Sequence, residues 1–230
     1  MSGGYTGTDN LEVMREAVNY NRYLVDEVGR FGEKTLKLFD FGAGIGTFAE
    51  QLREEGYEVV CIEPDSNQLE RIRDKGFEAY PGLNAITGEG IEFLYSLNVL
   101  EHIESDRLAL RDIFDRLKKG GRVLLYVPAF QILYSSMDER VGHYRRYRKR
   151  ELEMKLEEAG FEIERARYAD SLGFFASLAF KWFGSNDGSI NKKALVAYDR
   201  FVFPVSCWFD KALSPFFGKN LLVVAKKPGV

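Results

Sequence analysis

A chain of 230 residues suffices for one α/β domain with a substantial core and is too short for two of full size. Its 45% hydrophobic and 29% charged residues exclude a disordered or fibrous chain, and a net charge of -3 gives no electrostatic reason to expect a nucleic-acid partner. Two cysteines, Cys61 and Cys207, form no metal-ligand pair, residues 1–10 carry no basic-then-apolar leader, and no apolar run reaches the roughly 20 residues of a membrane span, so a reduced, cytoplasmic protein is expected.

Leu11, Met14, Val18, Leu24 and Val25 fall near helical spacing and predict a helix over residues 11–28. The apolar run 36–41 ends in Asp40-Phe41-Gly42 and reads as a buried strand entering a glycine turn. A helix over 47–55 stops at Gly56, and the valine-rich Glu58–Ile62 is a second strand. A helix over 66–75 follows, capped by Asp65 or Ser66 and ended by Gly76. Residues 77–80 and Ile91–Leu97 are the third and fourth strands. A helix over 106–118 is expected to close on Lys118-Lys119 and Gly120-Gly121, where the helix dipole and C-cap favour cations and glycine. Residues 122–127 form a fifth strand stopped by Pro128, Lys149–Ala159 a helix ended by Gly160, 161–168 a sixth strand and 221–225 the last. Strands alternating with helices from 36 to 127 imply a parallel sheet with helices on both faces, whose ligands bind beyond the C-terminal strand ends near the switch point.

The first such loop is Asp40-Phe41-Gly42-Ala43-Gly44-Ile45-Gly46-Thr47. Glycines allow a sharp turn and close approach of a ligand, and the helix that follows offers free N–H groups. The third glycine comes one residue earlier than in a dinucleotide fingerprint, which suits a cofactor without a pyrophosphate and argues against a nicotinamide oxidoreductase. Glu63, followed by Pro64, ends the second strand about 20 residues beyond the loop, where an acid can accept both ribose hydroxyls of a nucleoside.

These elements, with Asn98-Val99-Leu100-Glu101-His102 and Leu117–Gly121 downstream, resemble class I S-adenosylmethionine-dependent methyltransferases over residues 36–128. The resemblance implies a doubly wound, seven-stranded, mostly parallel sheet with an antiparallel last strand. It implies S-adenosylmethionine as methyl donor and S-adenosylhomocysteine as product. Gly42, Ala43, Gly44 and Gly46 would hold the methionyl and ribose part and Glu63, with Pro64, the ribose. Residues from Pro81 to Asn84, Leu83 among them, would flank adenine, and Asn98 and Val99 would meet the methionine end through backbone. Glu101 and His102 are too few to argue a metal site, none is expected, and both read as residues holding the loop by hydrogen bonds.

After the fifth strand, Gly142-His143-Tyr144-Arg145-Arg146-Tyr147 resembles a segment of a bacterial and archaeal methyltransferase subgroup and is expected to cover the donor pocket. His143 is the candidate catalytic residue, an imidazole able to take a proton from a hydroxyl, phenol or amine. Arg145 and Arg146 are candidates to bind a substrate carboxylate or phosphate, and Tyr144 and Tyr147 either line the pocket or pack. The layout expected is one domain: a helical cap over residues 1–34, a cofactor-binding core over 35–128, a substrate loop over 129–150 and an aromatic-rich insertion over 169–220. The insertion carries both tryptophans and is read first as extra core with partial lid function, ahead of a homodimer contact or a peripheral membrane contact. The function expected is methyl transfer to O, N or C of a small-molecule or lipid-linked acceptor. Alternatives are a non-catalytic S-adenosylmethionine-binding regulatory partner and an RNA methyltransferase, the latter resting on Arg145–Arg150 alone.

Overall fold

The computed structural model describes residues 8–88, 90–183 and 191–229; residues 1–7 of the polar N-terminus and 184–190 of the insertion lie outside them. Helices α1 (Thr8–Met14) and α2 (Val18–Phe31) lead to β1 (Lys37–Phe41). Then come α3 (Thr47–Glu54), β2 (Glu58–Ile62), α4 (Ser66–Asp74), β3 (Glu78–Tyr80), β4 (Ile91–Leu97), α5 (Asp106–Arg116) and β5 (Leu117–Pro128). Helices α6 (Ser136–Val141) and α7 (Lys149–Ala159) lead to β6 (Glu162–Ala169), and α8 (Ser171–Phe183), α9 (Lys192–Ala197) and α10 (Phe203–Leu213) lead to β7 (Asn220–Lys226).

The sheet order is β3-β2-β1-β4-β5-β7-β6. Pairs from β3 to β5 are parallel, and β7 runs antiparallel to both β5 and β6, as expected from the sequence. Side chains alternate between the two faces of each strand. Leu124 and Tyr126 of β5 therefore join one core with α2, α3 and α4, while Val123, Leu125 and Val127 join another with α5 and α7. With both faces covered, the strands read as continuous apolar runs rather than as alternation.

Two expected elements differ. The helix over 11–28 is broken between Met14 and Val18, because the Asn21 amide donates to the carbonyls of Met14 (3.0 Å) and Arg15 (3.3 Å) and so ends α1. The helix over 106–118 ends at Arg116, and Leu117 already pairs with Ile91 in the sheet. Lys118–Gly121 forms a bulge before pairing resumes at Phe93 and Arg122. Gly121 is needed there because a Cβ would stand 2.9 Å from two carbonyl oxygens, those of Ile91 and Lys118. Besides Arg116, the last residue of α5, Lys227 stands at this helix end, its ammonium donating to the carbonyls of Phe114 (2.7 Å) and Leu117 (2.8 Å).

Candidate functional site

The sheet order reverses between β1 and β4, and the loops leaving these two strands open a crevice there. Gly42, Gly44 and Gly46 all have positive φ, at 81°, 57° and 81°. Gly42 is the most constrained, since a Cβ would fall 2.4–2.5 Å from the methyl carbons of Val99. Loops one and four are thus in contact at their closest points. Gly44 faces Leu11 of α1 and Gln68, with 3.3 Å from its notional Cβ to a Leu11 methyl, so strain as much as steric block opposes a side chain there.

Glu63 binds the two sides of the crevice together. Its Oε2 accepts the Gly44 N–H at 2.7 Å and its Oε1 accepts the Asp65 N–H at 2.9 Å. Each carboxylate oxygen keeps a further lone pair for a ligand hydroxyl. Burial pushes the Glu63 carboxyl above its ordinary range, and the two backbone donors partly offset that. Asp40 is buried as well, and burial pushes it up to about 7. Asn98 stands at φ 56°, uncommon for a non-glycine residue, and its amide donates to the Tyr20 hydroxyl of α2 at 3.1 Å.

These residues line one end of a cavity of about 630 Å³, a volume within the usual range for a small-molecule site. Gly42, Ala43, Gly44, Glu63, Pro64, Asn98 and Val99 are in its wall, with Pro81 and Gly82 of the loop after β3. Gly46 and Leu83 are not in it. Gly46 is the left-handed residue before α3, and Leu83 is packed into the core.

The other end is a cluster of ionisable groups. Asp138 of α6 is buried and takes Arg146 Nε at 2.8 Å, Arg146 Nη2 at 2.9 Å, the Ser135 N–H at 2.9 Å and His143 Nδ1 at 2.7 Å. Burial pushes this carboxyl up, but the hydrogen bonds from His143 and Arg146 outweigh it and hold it at about 2. An ionised Asp138 places the imidazole proton on Nδ1 and leaves the Nε2 lone pair facing the cavity. Nε2 lies 3.8 Å from Glu101 Oε1. Glu101 is 0% exposed, neither carboxylate oxygen has a hydrogen-bond partner, and burial pushes it up to about 8. The His102 ring stands edge-on to His143 at 4.5 Å, and burial lowers it to about 4, so it is neutral.

Several expected roles change. Glu101 does not hold its loop by side-chain hydrogen bonds, and it lines the cavity. Arg145 is turned away from the cavity and donates to the carbonyls of Ile103 (2.9 Å) and Glu104 (2.7 Å) beside Asp106. Arg146 lines the cavity but is paired with Asp138. Tyr147 packs, its hydroxyl donating to Asp106 at 2.9 Å, and Tyr144 is exposed. With His143 added to Glu101 and His102, three metal-ligating atoms lie within 4.8 Å of one another, where the sequence offered only two candidates.

The N-terminal helices and the insertion together wall the cavity. Leu11, Met14 and Tyr20 line it with Leu195, Tyr198 and Phe203, the Tyr20 and Phe203 rings standing 5.5 Å apart. Tyr198 donates to Asp170 at 2.6 Å. Sequence reasoning missed Asp138, Asp170 and Lys219, which also line it. The Ser135-x-x-Asp138 spacing announces only a helix cap, which is also present.

Comparison with known proteins places the chain. A model described as "Methyltransferase domain" matches residues 14–166. The chain is 28% identical over 109 residues to an uncharacterized protein of Mycobacterium tuberculosis, covering 42% of this chain and only 37% of that one. Among solved structures it is similar to the methyltransferase seen in complex with the Trm112 activator of Haloferax volcanii (15% identity, TM-score 0.65, 98% of each chain). It is also similar to a SAM-dependent methyltransferase of Archaeoglobus fulgidus (17%, TM-score 0.59, 90% and 94% of the two chains). At such identities the structural likeness speaks for the fold.

Proposed function

We propose, for a chain that belongs to the methyltransferase-domain family, that it transfers a methyl group from S-adenosylmethionine to O, N or C of a small-molecule or lipid-linked acceptor. The observation that carries this is one cavity with two chemically different ends, a glycine-and-carboxylate end at the sheet's switch point and an imidazole-and-carboxylate end beyond it. The residues fit the donor. Gly42 and Gly44 leave backbone exposed to it, and Glu63 retains lone pairs for two ribose hydroxyls. When bound, S-adenosylmethionine supplies the methyl group on sulfur and leaves as S-adenosylhomocysteine.

The chain's own residues then position the acceptor and manage its proton. His143 Nε2 takes the proton that the acceptor loses as its new bond to carbon forms, and Asp138 on Nδ1 stabilises the imidazolium. Glu101, 3.8 Å away, stabilises the same charge on ionising. The RNA alternative is weakened, because Arg145 and Arg146 are engaged by Asp106 and Asp138, which leaves Arg148 and Arg150 as the exposed arginines of that run.

The test is release of S-adenosylhomocysteine from S-adenosylmethionine over a panel of amines, phenols, carboxylates and lipid-linked sugars. Turnover with one class supports the proposal. Donor binding without turnover on any of them would favour the regulatory alternative.

A second reading of the acceptor end is a divalent-cation site held by Glu101, His102 and His143, favoured by the unpartnered Glu101 oxygens and the neutral His102. It requires activity to fall on chelation and return with added cation. An imidazole base alone requires no such loss.

A further inference from the structure

We propose that the outward face of the insertion docks on an anionic lipid surface. The first observation is inverted amphipathicity. In α10 and the turn before it, Phe203, Ser206 and Asp210 face inward and are buried. Asp210 takes the Asp170 and Ser171 N–H groups at 2.7 and 2.9 Å, and Ser206 Oγ takes the Leu172 N–H at 2.9 Å. The polar side chains thus face the protein. The opposite stripe, at the spacing of successive helical turns, is Phe201 (67% exposed), Val205, Trp208 (64%) and Phe209, continued by Phe216 (71%). Helix α8, packed beside α10, does the same with Phe175 and Trp182 (67% exposed). The rings of Phe175 and Phe217 stand 5.5 Å apart and join the two stripes. Lys181 reaches the carbonyl of the exposed Ile132 at 2.8 Å and extends the surface. A soluble monomer has no reason to present both its tryptophans and this many phenylalanines to water.

The second observation is charge. Among the described residues of the insertion, the exposed charged side chains are all cations: Lys181, Lys192, Lys193, Arg200 and Lys211. Its described acids Asp170, Asp199 and Asp210 are buried and hydrogen-bonded, Asp199 by the N–H groups of Asn19 and Tyr20. Lys192 alone among these cations has an acidic partner, Glu16 at 2.9 Å. The chain as a whole is acidic, at -3. An aromatic stripe whose exposed charges, among the described residues of the insertion, are all cations is complementary to anionic head groups over an apolar layer. It is a poor surface for a second copy, because a two-fold interface sets the patch against itself and brings like charges together. The same insertion lines the cavity through Leu195, Tyr198 and Phe203, so a docked protein holds one wall of the cavity beside the lipid. The inference does not depend on methyl transfer, since docking is read without turnover.

The test uses the full chain and two sets of vesicles, phosphatidylcholine alone and phosphatidylcholine with phosphatidylglycerol. Sedimentation with the anionic vesicles and a blue shift of tryptophan emission are expected, Trp182 and Trp208 being the chain's two tryptophans. Phosphatidylcholine alone should bind at least tenfold more weakly. Phe201→Ser with Trp208→Ser should cut binding about tenfold, and so should Lys181→Glu with Lys211→Glu, with donor affinity and melting temperature unchanged because these side chains are exposed. Absence of sedimentation with anionic vesicles would overturn the proposal. So would binding that neither double variant weakens, or a concentration-dependent dimer that the aromatic variant dissolves, which would give the face to a second copy.

Discussion

The two ends of the cavity, which we propose hold donor and acceptor, are built differently. The donor end is made mostly of backbone, with Gly42, Gly44 and the Asn98–Val99 turn held by Glu63. The acceptor end is made of side chains that hold one another, Asp138 fixing both Arg146 and His143. A backbone site tolerates loss of one contact and fails when volume is added. A buried ionic site fails when one partner is removed and leaves the other uncompensated.

Asp138→Ala breaks the contrast hardest. It strands Arg146 and is expected to cost about 3–5 kcal/mol, read as a fall of roughly 10 °C or more in melting temperature. Stability near the wild-type value would mean that the pair does not anchor the acceptor end. Next comes His143→Ala, which should lower kcat by about 10²-fold or more while leaving donor affinity within a factor of two. Loss of donor affinity in equal measure would merge the two ends into one. Glu63→Ala should weaken donor binding by about tenfold through the lost ribose hydrogen bonds, with little change in kcat at saturating donor.

The smallest effect is on pH dependence. Asp40 keeps its proton in the folded chain up to about 7, whereas the unfolded chain releases it near 4. The unfolded state therefore binds fewer protons between these values, and stability falls as pH rises through that window. Melting temperature without donor should drop by several degrees from pH 5 to pH 8, and Asp40→Asn should reduce the slope, the remainder coming from Glu101, which burial raises to about 8. An equal slope in the variant would place the titration elsewhere.

That the glycine loop and Glu63 meet at one end of the cavity was legible because the signals are local: an apolar run, three glycines at fixed spacing and an acid at the end of the next strand. The seven-stranded sheet was legible for the same reason. The acceptor end was legible only at His143, since its partners meet through tertiary packing that no spacing records. Lys118-Lys119 looked like a helix terminus, yet Lys227 takes that place from the far end of the chain. The aromatic-rich insertion was expected to bury its rings. Phe203 does so, while Trp182, Phe201, Trp208 and Phe216 stay in solvent, because the inner face of α10 is occupied by Ser206 and Asp210 capping α8.

The most direct test of the central claim is calorimetric titration of the protein with S-adenosylmethionine and S-adenosylhomocysteine, with NADH as the control. Binding of both sulfur compounds in the micromolar range, weakened in Glu63→Ala, and none of NADH is the predicted result. Binding of neither would mean that the glycine loop is only a turn and would contradict the account.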